Sequence, residues 1–305
     1  MGIFSPEPSA AGDFWYAFLS ILLEGAPYIL LGTIISGFIH AYLPGGLLEK
    51  MLPKNRIAAI FVSGLMGAVL PVCECAIVPV VRRLVRKGMP VACGVAYMLA
   101  APVINPVVVI STVFAFKGND AAFMTVSRLL MAYIVAVVVG MVVVRVKPAS
   151  VLKDKVKEEG HTHDHSTLPG DQKLVLAMRT AMRDFLDTGL YFTVGVLITA
   201  VFNTQFDQGG LLAFAGNDFL AVPAMMGLAF ILSLCSTTDA FIVAPILVLS
   251  QVSKLAFLVF GPMMDVKLVF MYMTAFKKRF VIGVALGVAA LVAVLCVPWA
   301  IIVPS

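Results

Sequence analysis

The sequence predicts an all-α polytopic membrane protein: two inverted repeats, each of about three transmembrane helices plus a re-entrant, broken helical hairpin. Three observations carry that prediction. Charged residues make up 13% of the 305 and mean hydropathy is +1.00, where a soluble domain carries about 25% charged residues. Apolar runs of membrane-spanning character recur, for example over 14–41, 129–144 and 280–303. The acids, prolines and glycines of the first half return in the second at closely matching spacing.

A tail containing Gly, Ser and Pro ends at Asp13, and an apolar helix runs on toward Tyr42 with Glu24, Gly25 and Pro27 inside it. No cleavable signal peptide is expected, because no basic segment precedes that run and the run is too long. Lys50, Lys54 and Arg56 occupy the next loop. The helix from Ile57 is expected to break in Pro71-Val72-Cys73-Glu74-Cys75-Ala76-Ile77-Val78-Pro79, since proline lacks the N–H a helix needs. A break at membrane depth leaves backbone groups and a carboxyl group that lipid cannot satisfy, so the segment must be buried in protein or line a cavity. Arg82, Arg83, Arg86 and Lys87 close this element. The apolar stretch 90–117 is interrupted at Ala101-Pro102-Val103-Ile104-Asn105-Pro106, and a plain apolar helix is expected from Arg128 to Val144. Residues 147–175 read as a charged cytoplasmic linker, with 1–146 and 176–305 as the two membrane repeats.

The duplication rests on spacing. Glu24-Gly25-Ala26-Pro27-Tyr28 with Gly32 is matched by Asp187-Thr188-Gly189-Leu190-Tyr191 with Gly195. The Cys73 element is matched by Leu234-Cys235-Ser236-Thr237-Thr238-Asp239-Ala240-Phe241, and Ala101–Asn105 by Gly261-Pro262-Met263-Met264-Asp265. Ala115-Phe116-Lys117 agrees with Ala275-Phe276-Lys277. Charge then sets orientation. A single crossing by 57–81 would put two basic clusters on opposite faces, whereas a hairpin with its tip at Cys73-Glu74-Cys75 keeps both in the cytoplasm. Three crossings per repeat are odd, so the second copy starts in the opposite sense. The segment 207–218, without a basic residue, and Lys277-Lys278-Arg279 agree with that inversion, and Lys254 dissents. Inverted repeats with interrupted helices are typical of secondary transporters. Eight ordinary crossings are the competing arrangement. The expected location is the plasma (inner) membrane.

Cys73 and Cys75 lead the residues that can carry chemistry. At a helix break two such thiols can face one cavity, and soft thiolates favour Cu(I), Zn(II) or a trivalent metalloid; otherwise they are small buried hydrophobes. Cys235, the repeat's counterpart, is expected near the same cavity, while Cys93 and Cys296 read as packing. The acids Glu24, Glu74, Asp187, Asp239 and Asp265 form the second constellation. Charge at the bilayer centre is costly, so intramembrane acids point to function. Glu74, Asp239 and Asp265 are candidate proton carriers or cation ligands; Glu24 and Asp187 are coupling candidates or interfacial and capping groups. Lys267 is read as the one basic residue well inside an apolar run, paired with Asp265 or Asp239. Asn105 can present its amide to a cavity or cap a kinked helix. His161, His163 and His165 in the linker are a weak metal tract. The net charge of +5 lies in short loops and implies no nucleic-acid partner, and five cysteines, four in apolar segments, argue against a disulfide scaffold.

Pro71–Pro79 with its C-x-C, followed by Ala101-Pro102-Val103-Ile104-Asn105-Pro106, resembles the paired motifs of a predicted-permease family. That family includes the YraQ-type proteins and the ArsP-type organoarsenical permeases. The resemblance covers nearly the whole chain. It implies a multi-spanning permease, with some members exporting trivalent methylated or aromatic arsenicals, and by motif it carries over Cys73, Cys75 and Asn105. Glu74 stands where the family commonly has a small polar residue, a departure that favours a cation or more direct proton coupling.

The leading expectation is a secondary transporter that exports a soft, thiol-reactive or small solute. Its alternatives are a cation transporter using the buried acids, a membrane thiol redox enzyme using Cys73 and Cys75, and a subunit that only anchors a partner. No haem or quinone motif is visible and no cofactor is expected. The expected partners are a small-molecule or metalloid substrate and membrane lipid; the sequence carries no signal for oligomeric state.

Overall fold

The computed structural model describes residues 10–43, 52–70, 72–116, 119–146, 151, 170–205, 218–246 and 249–302. The described helices of the first half are α1 (Ala10–Tyr42), α2 (Arg56–Val69), α3 (Glu74–Arg86), α4 (Val91–Ala100), α5 (Pro106–Ala115) and α6 (Asn119–Val144). Those of the second are α7 (Gly170–Gln205), α8 (Asp218–Leu232), α9 (Asp239–Val243), α10 (Gln251–Met263), α11 (Val266–Ala275) and α12 (Lys278–Ile302). Each half reads long, four short, long. Among the described residues five segments are long and apolar enough to cross a bilayer: Gly12–Tyr42, Ala121–Val144, Asp171–Thr204, Gln251–Ala275 and Lys278–Ala300. The protein is an all-helical, multi-pass membrane protein.

Local chemistry fixes the breaks. The Asn105 side chain accepts from the Val107 N–H at 2.9 Å, with Pro106 in the first turn where its missing donor costs nothing. The Asp265 side chain likewise accepts from the Leu268 N–H at 2.7 Å and starts α11. The short helices α4 and α5 are 10 residues each, well below the roughly 20 that span a bilayer. Pro27, by contrast, sits inside the continuous α1, as membrane helices allow.

The centre of the molecule is α4 beside α10. Ala92 to Ala100 and Val252 to Met263 are buried throughout, and α2, α6, α8 and α12 pack around them. The two halves use matching small-residue contacts there. A Cβ on Gly67 would lie 2.6 Å from the Ala101 Cα, and one on Gly261 meets the Ala229 Cβ at 3.5 Å.

These contacts also give directions. Ile60 and Ala92 both flank Gly140, and Gly67 lies at Ala101, so α2 runs alongside α4 in the same sense. The Tyr97 hydroxyl donates to the Leu70 carbonyl just ahead of α3, while Val85 near the other end of α3 meets Gly94 before the short link to α4, so α3 returns the other way. The first turn of α2 and the last turn of α3 therefore lie level with the start of α4. Outside this body, α1 and α7 pack along each other antiparallel, Gly25 against Phe192 and Gly37 against Ala177 and Ala181. α1 rests on α3 and α7 on α11.

One expectation changes. The helix expected from Arg128 begins at Asn119, which moves Arg128 from an end to the interior. α7 begins at Gly170, within the segment read as linker.

Candidate functional site

Glu74 opens α3, with Cys73 as its N-cap, and is 1% exposed. A carboxylate in the first turn meets the positive end of the helix dipole. From α11, Lys267 places its Nζ 3.7 Å from Glu74 Oε1 and 3.6 Å from Asp265 Oδ2. The same Nζ donates to the Ser233 carbonyl at 2.8 Å. Ser236 Oγ donates to Glu74 Oε2 at 3.0 Å. On the far side of Ser236 its carbonyl accepts from Arg128 Nη2 at 3.2 Å. That guanidinium also pairs with Asp239 Oδ2 at 2.6 Å and donates from Nη1 to Thr112 Oγ1 at 2.8 Å.

The result is one buried chain, Asp265–Lys267–Glu74–Ser236–Arg128–Asp239, drawn from both halves. All six residues are buried. It holds three carboxyl groups against two cations, one carboxyl more than the cations neutralise. Asp265 Oδ2 and Asp239 Oδ1 have no hydrogen-bond partner. A charge without its full set of partners is costly in such a place.

The helix registers show how the chain arises. Glu74 and Asp239 are each the first residue of a short helix, and Asn105 and Asp265 each the N-cap of another. α3 packs on α11, and α9 packs on α5. Lys267 serves the first junction and Arg128 the second. Cys73 is the N-cap of α3 and Thr238 that of α9.

Cys235 reaches the same space as Cys73. A cavity of about 20 Å³ is lined by Glu24, Tyr28, Cys73, Glu74, Cys235 and Lys267, with Phe192 and Gly25 beside them. It is large enough for one water-sized group. Cys73 and Cys235 are part-exposed and Cys75 is buried; all three thiols are free. Cys235 Sγ lies 3.3 Å from Thr237 Oγ1. Among the described residues no three of His, Cys, Asp and Glu form a metal-holding group.

The other expected residues are placed differently. Glu24 is exposed on α1 at the rim of the cavity. Asp187 is 66% exposed, 3.9 Å from Arg82 Nη1, and lies apart from the buried chain. Asn105 is buried but spends its side-chain oxygen on the α5 cap. Lys267 pairs with Asp265 and Glu74, while Asp239 takes Arg128 instead. His161, His163 and His165 lie outside the described residues. Arg128 is the functional residue that sequence reasoning misses: it looks like the boundary of a helix whose apolar run in fact starts seven residues earlier, at Ala121. A second missed pair is Arg83 with Asp184, joined by Nε at 3.1 Å and Nη2 at 3.0 Å, with Ser36 Oγ donating to the carboxylate at 2.7 Å.

Comparison with known proteins follows this geometry. The ArsP-type family model described as "Predicted permease" matches residues 11–299. The chain is 41% identical to the UPF0718 protein YcgR of Bacillus subtilis over 87% of this chain and 89% of that one. It is 38% identical to a Streptococcus mutans protein named "Putative two-component membrane permease complex subunit", over 92% of this chain and 93% of that one. YraQ of Escherichia coli is 24% identical over 36% of this chain and 32% of its own. No solved structure matches. The chain, with its proline-broken helices and buried charges, belongs to the ArsP-type predicted-permease family of membrane transporters.

Proposed function

We propose that this permease is a secondary transporter working by alternating access, with substrate admitted where the broken helices of the two halves meet. The observation that carries the reading is the buried chain from Asp265 to Asp239, which joins both halves and holds one carboxyl group in excess of its cations. A bound proton is the smallest charge that balances it. Glu74, Asp239 and Asp265 are then the coupling groups, with Lys267 and Arg128 as the cations that trade partners as the proton moves. Glu24, at the cavity rim, is the group through which the proton exchanges with water; Asp187 is left to the basic end of α7.

An inverted repeat is supported by the matching order of long and short helices, by the antiparallel α1 and α7, and by the paired junctions α3–α11 and α9–α5. A re-entrant hairpin of α2 and α3 is supported by their opposite directions along α4.

The substrate reading follows from the sulfurs. Cys73 and Cys235 open on one cavity from opposite halves, and the buried Cys75 lines it as well. Two thiols so placed suit a trivalent organoarsenical, which exchanges two hydroxide ligands for two thiolates; each hydroxide leaves as water with a thiol proton. The cavity holds only a water-sized group, so α1 or α7 must withdraw for substrate to bind, and the present arrangement is the closed one. The two-component name of the Streptococcus mutans relative supports work alongside a second membrane subunit.

Counterflow into proteoliposomes, with a trivalent aryl arsenical and with or without a proton gradient, tests this. Uptake that accelerates with the gradient and disappears in Cys73→Ser and Cys235→Ser is the expected result. Gradient-driven uptake indifferent to both cysteines would remove the thiol site and leave proton coupling standing; no uptake under either condition would sink the transporter reading for this substrate class.

A further inference from the structure

The opposite end of α3 from Cys73 meets α1 and α7 at a second opening. A cleft of about 540 Å³ lies there, walled by Arg82, Arg83, Arg179, Arg183, Asp184 and Asp187. Four guanidinium groups face two carboxylates. Asp184 is already used, held by Arg83 through Nε and Nη2 and by the Ser36 hydroxyl. Asp187 is mostly exposed and only 3.9 Å from Arg82. Arg82 is 7% exposed, and its Nε has no hydrogen-bond partner. Arg179 and Arg183 stand four residues apart on one face of α7 and are exposed, where like charges repel unless an anion sits between them. Among the described residues the cleft therefore carries two positive charges in excess and an unfilled buried donor. Forked guanidinium donors are suited to phosphate oxygens.

A second opening adjoins it. An apolar groove of about 700 Å³ runs between α1 and α7, lined by Leu30, Ile34, Val175, Met178 and Met182 among others, and Arg179 borders both spaces. Phosphate-binding donors next to a groove of acyl-chain character describe an anionic lipid.

We infer that the basic cleft between α1, α3 and α7 is a binding site for a phosphate group, held there as the headgroup of an anionic membrane lipid whose chain lies in the adjoining groove. The inference does not depend on the transport reading, because none of these residues belongs to the buried charge chain. The lipid ties together the three helices whose separation would open the cavity at Cys73, and it does so from outside the site.

Native mass spectrometry of the delipidated full-length protein tests it, with phosphatidylglycerol, phosphatidylcholine and inorganic phosphate as probes. Preferential retention of one phosphatidylglycerol over phosphatidylcholine is expected. In Arg179→Gln/Arg183→Gln, both exposed and hence compatible with folding, affinity should fall roughly tenfold or more, the loss of two charge-assisted hydrogen bonds. Lys278→Gln/Arg279→Gln, an equal charge change at the exposed start of α12, should leave it unaltered. Inorganic phosphate binding that shares the Arg179/Arg183 dependence, with no lipid preference, would keep the anion site and overturn the lipid as its source. Equal loss in both double variants, or no loss in either, overturns the site altogether.

Discussion

At the scale of single residues, the two cations Lys267 and Arg128 decide whether the centre of the protein folds. Each neutralises carboxylates buried inside the protein. Arg128→Met leaves Asp239 buried with no charge partner, and removing one member of a buried pair costs about 3–5 kcal/mol. Equilibrium unfolding in mixed micelles should read that loss, and Arg128→Met/Asp239→Leu should recover most of it, since replacing both partners by apolar groups is nearly neutral. A double variant no better than the single one would show that Asp239 is held by something other than Arg128. Glu74→Gln behaves differently. It removes the excess carboxyl and leaves Lys267 with Asp265 at 3.6 Å and the Ser233 carbonyl at 2.8 Å. The variant should fold with normal stability, and its transport should lose pH dependence in proteoliposomes; an unaltered profile would exclude Glu74 as the coupling group. The motif around Glu74 was legible in sequence, because proline and charge in an apolar run stand out locally. Arg128 was not. Its partners Thr112, Ser236 and Asp239 come from other helices, and a lone arginine at the edge of an apolar run looks like an interfacial anchor.

At the scale of elements, Gly32 and Gly195 bring the long helices onto the short ones. A Cβ on Gly32 would stand 2.7 Å from the Ala76 carbonyl oxygen, two residues beyond Glu74. One on Gly195 would stand 2.8 Å from the Lys267 Cα. Both clashes are with backbone, so no side chain can turn aside to relieve them. Gly195→Ala should destabilise the protein by about 1–3 kcal/mol, the usual cost of overpacking, and should shift α7 away from α11. That shift opens the cavity at Cys235, so maleimide labelling of Cys235 in the folded protein should accelerate while Cys296 stays slow. Unchanged labelling would mean that α7 does not cover the site. The matching spacing of Gly32 and Gly195 was readable from sequence, as were the breaks at Asn105 and Asp265, which follow from cap and proline chemistry. Helix register was harder, because a capping position is defined by backbone geometry and not by residue type: Cys73 holds it ahead of α3 and Thr238 ahead of α9.

At the scale of the whole molecule, the arrangement depends on which side of the membrane each break faces. Burial alone separates the inner layer, α4 and α10, from the outer one; hydropathy does not, because buried and lipid-facing helices are both apolar. Hydropathy could not distinguish a crossing from a hairpin. The 14 residues of α2 and 13 of α3 together number 27, enough for one tilted crossing or for two half-depth arms. Packing is what supports the proposed hairpin: Ile60 lies level with Ala92 and Gly67 with Ala101, while Leu70 lies at Tyr97 and Val85 at Gly94, which brings Arg56 and Arg86 toward the same end of α4. A single crossing would place them a membrane thickness apart, about 30 Å, and would require the α3 end to leave Gly94, where Val81 and Val85 now pack. Single cysteines at Lys54 and Lys87, in an otherwise cysteine-free protein, should therefore react with membrane-impermeant maleimide from the same side, and that side should be the cytoplasmic one by the excess of Arg and Lys. Spheroplasts and inverted vesicles read the two faces separately. Labelling of the two positions from opposite faces would replace the hairpin by a crossing, reverse the sense of α4 through α6 relative to the bilayer, and separate the aqueous access of Glu74 from that of Asp239.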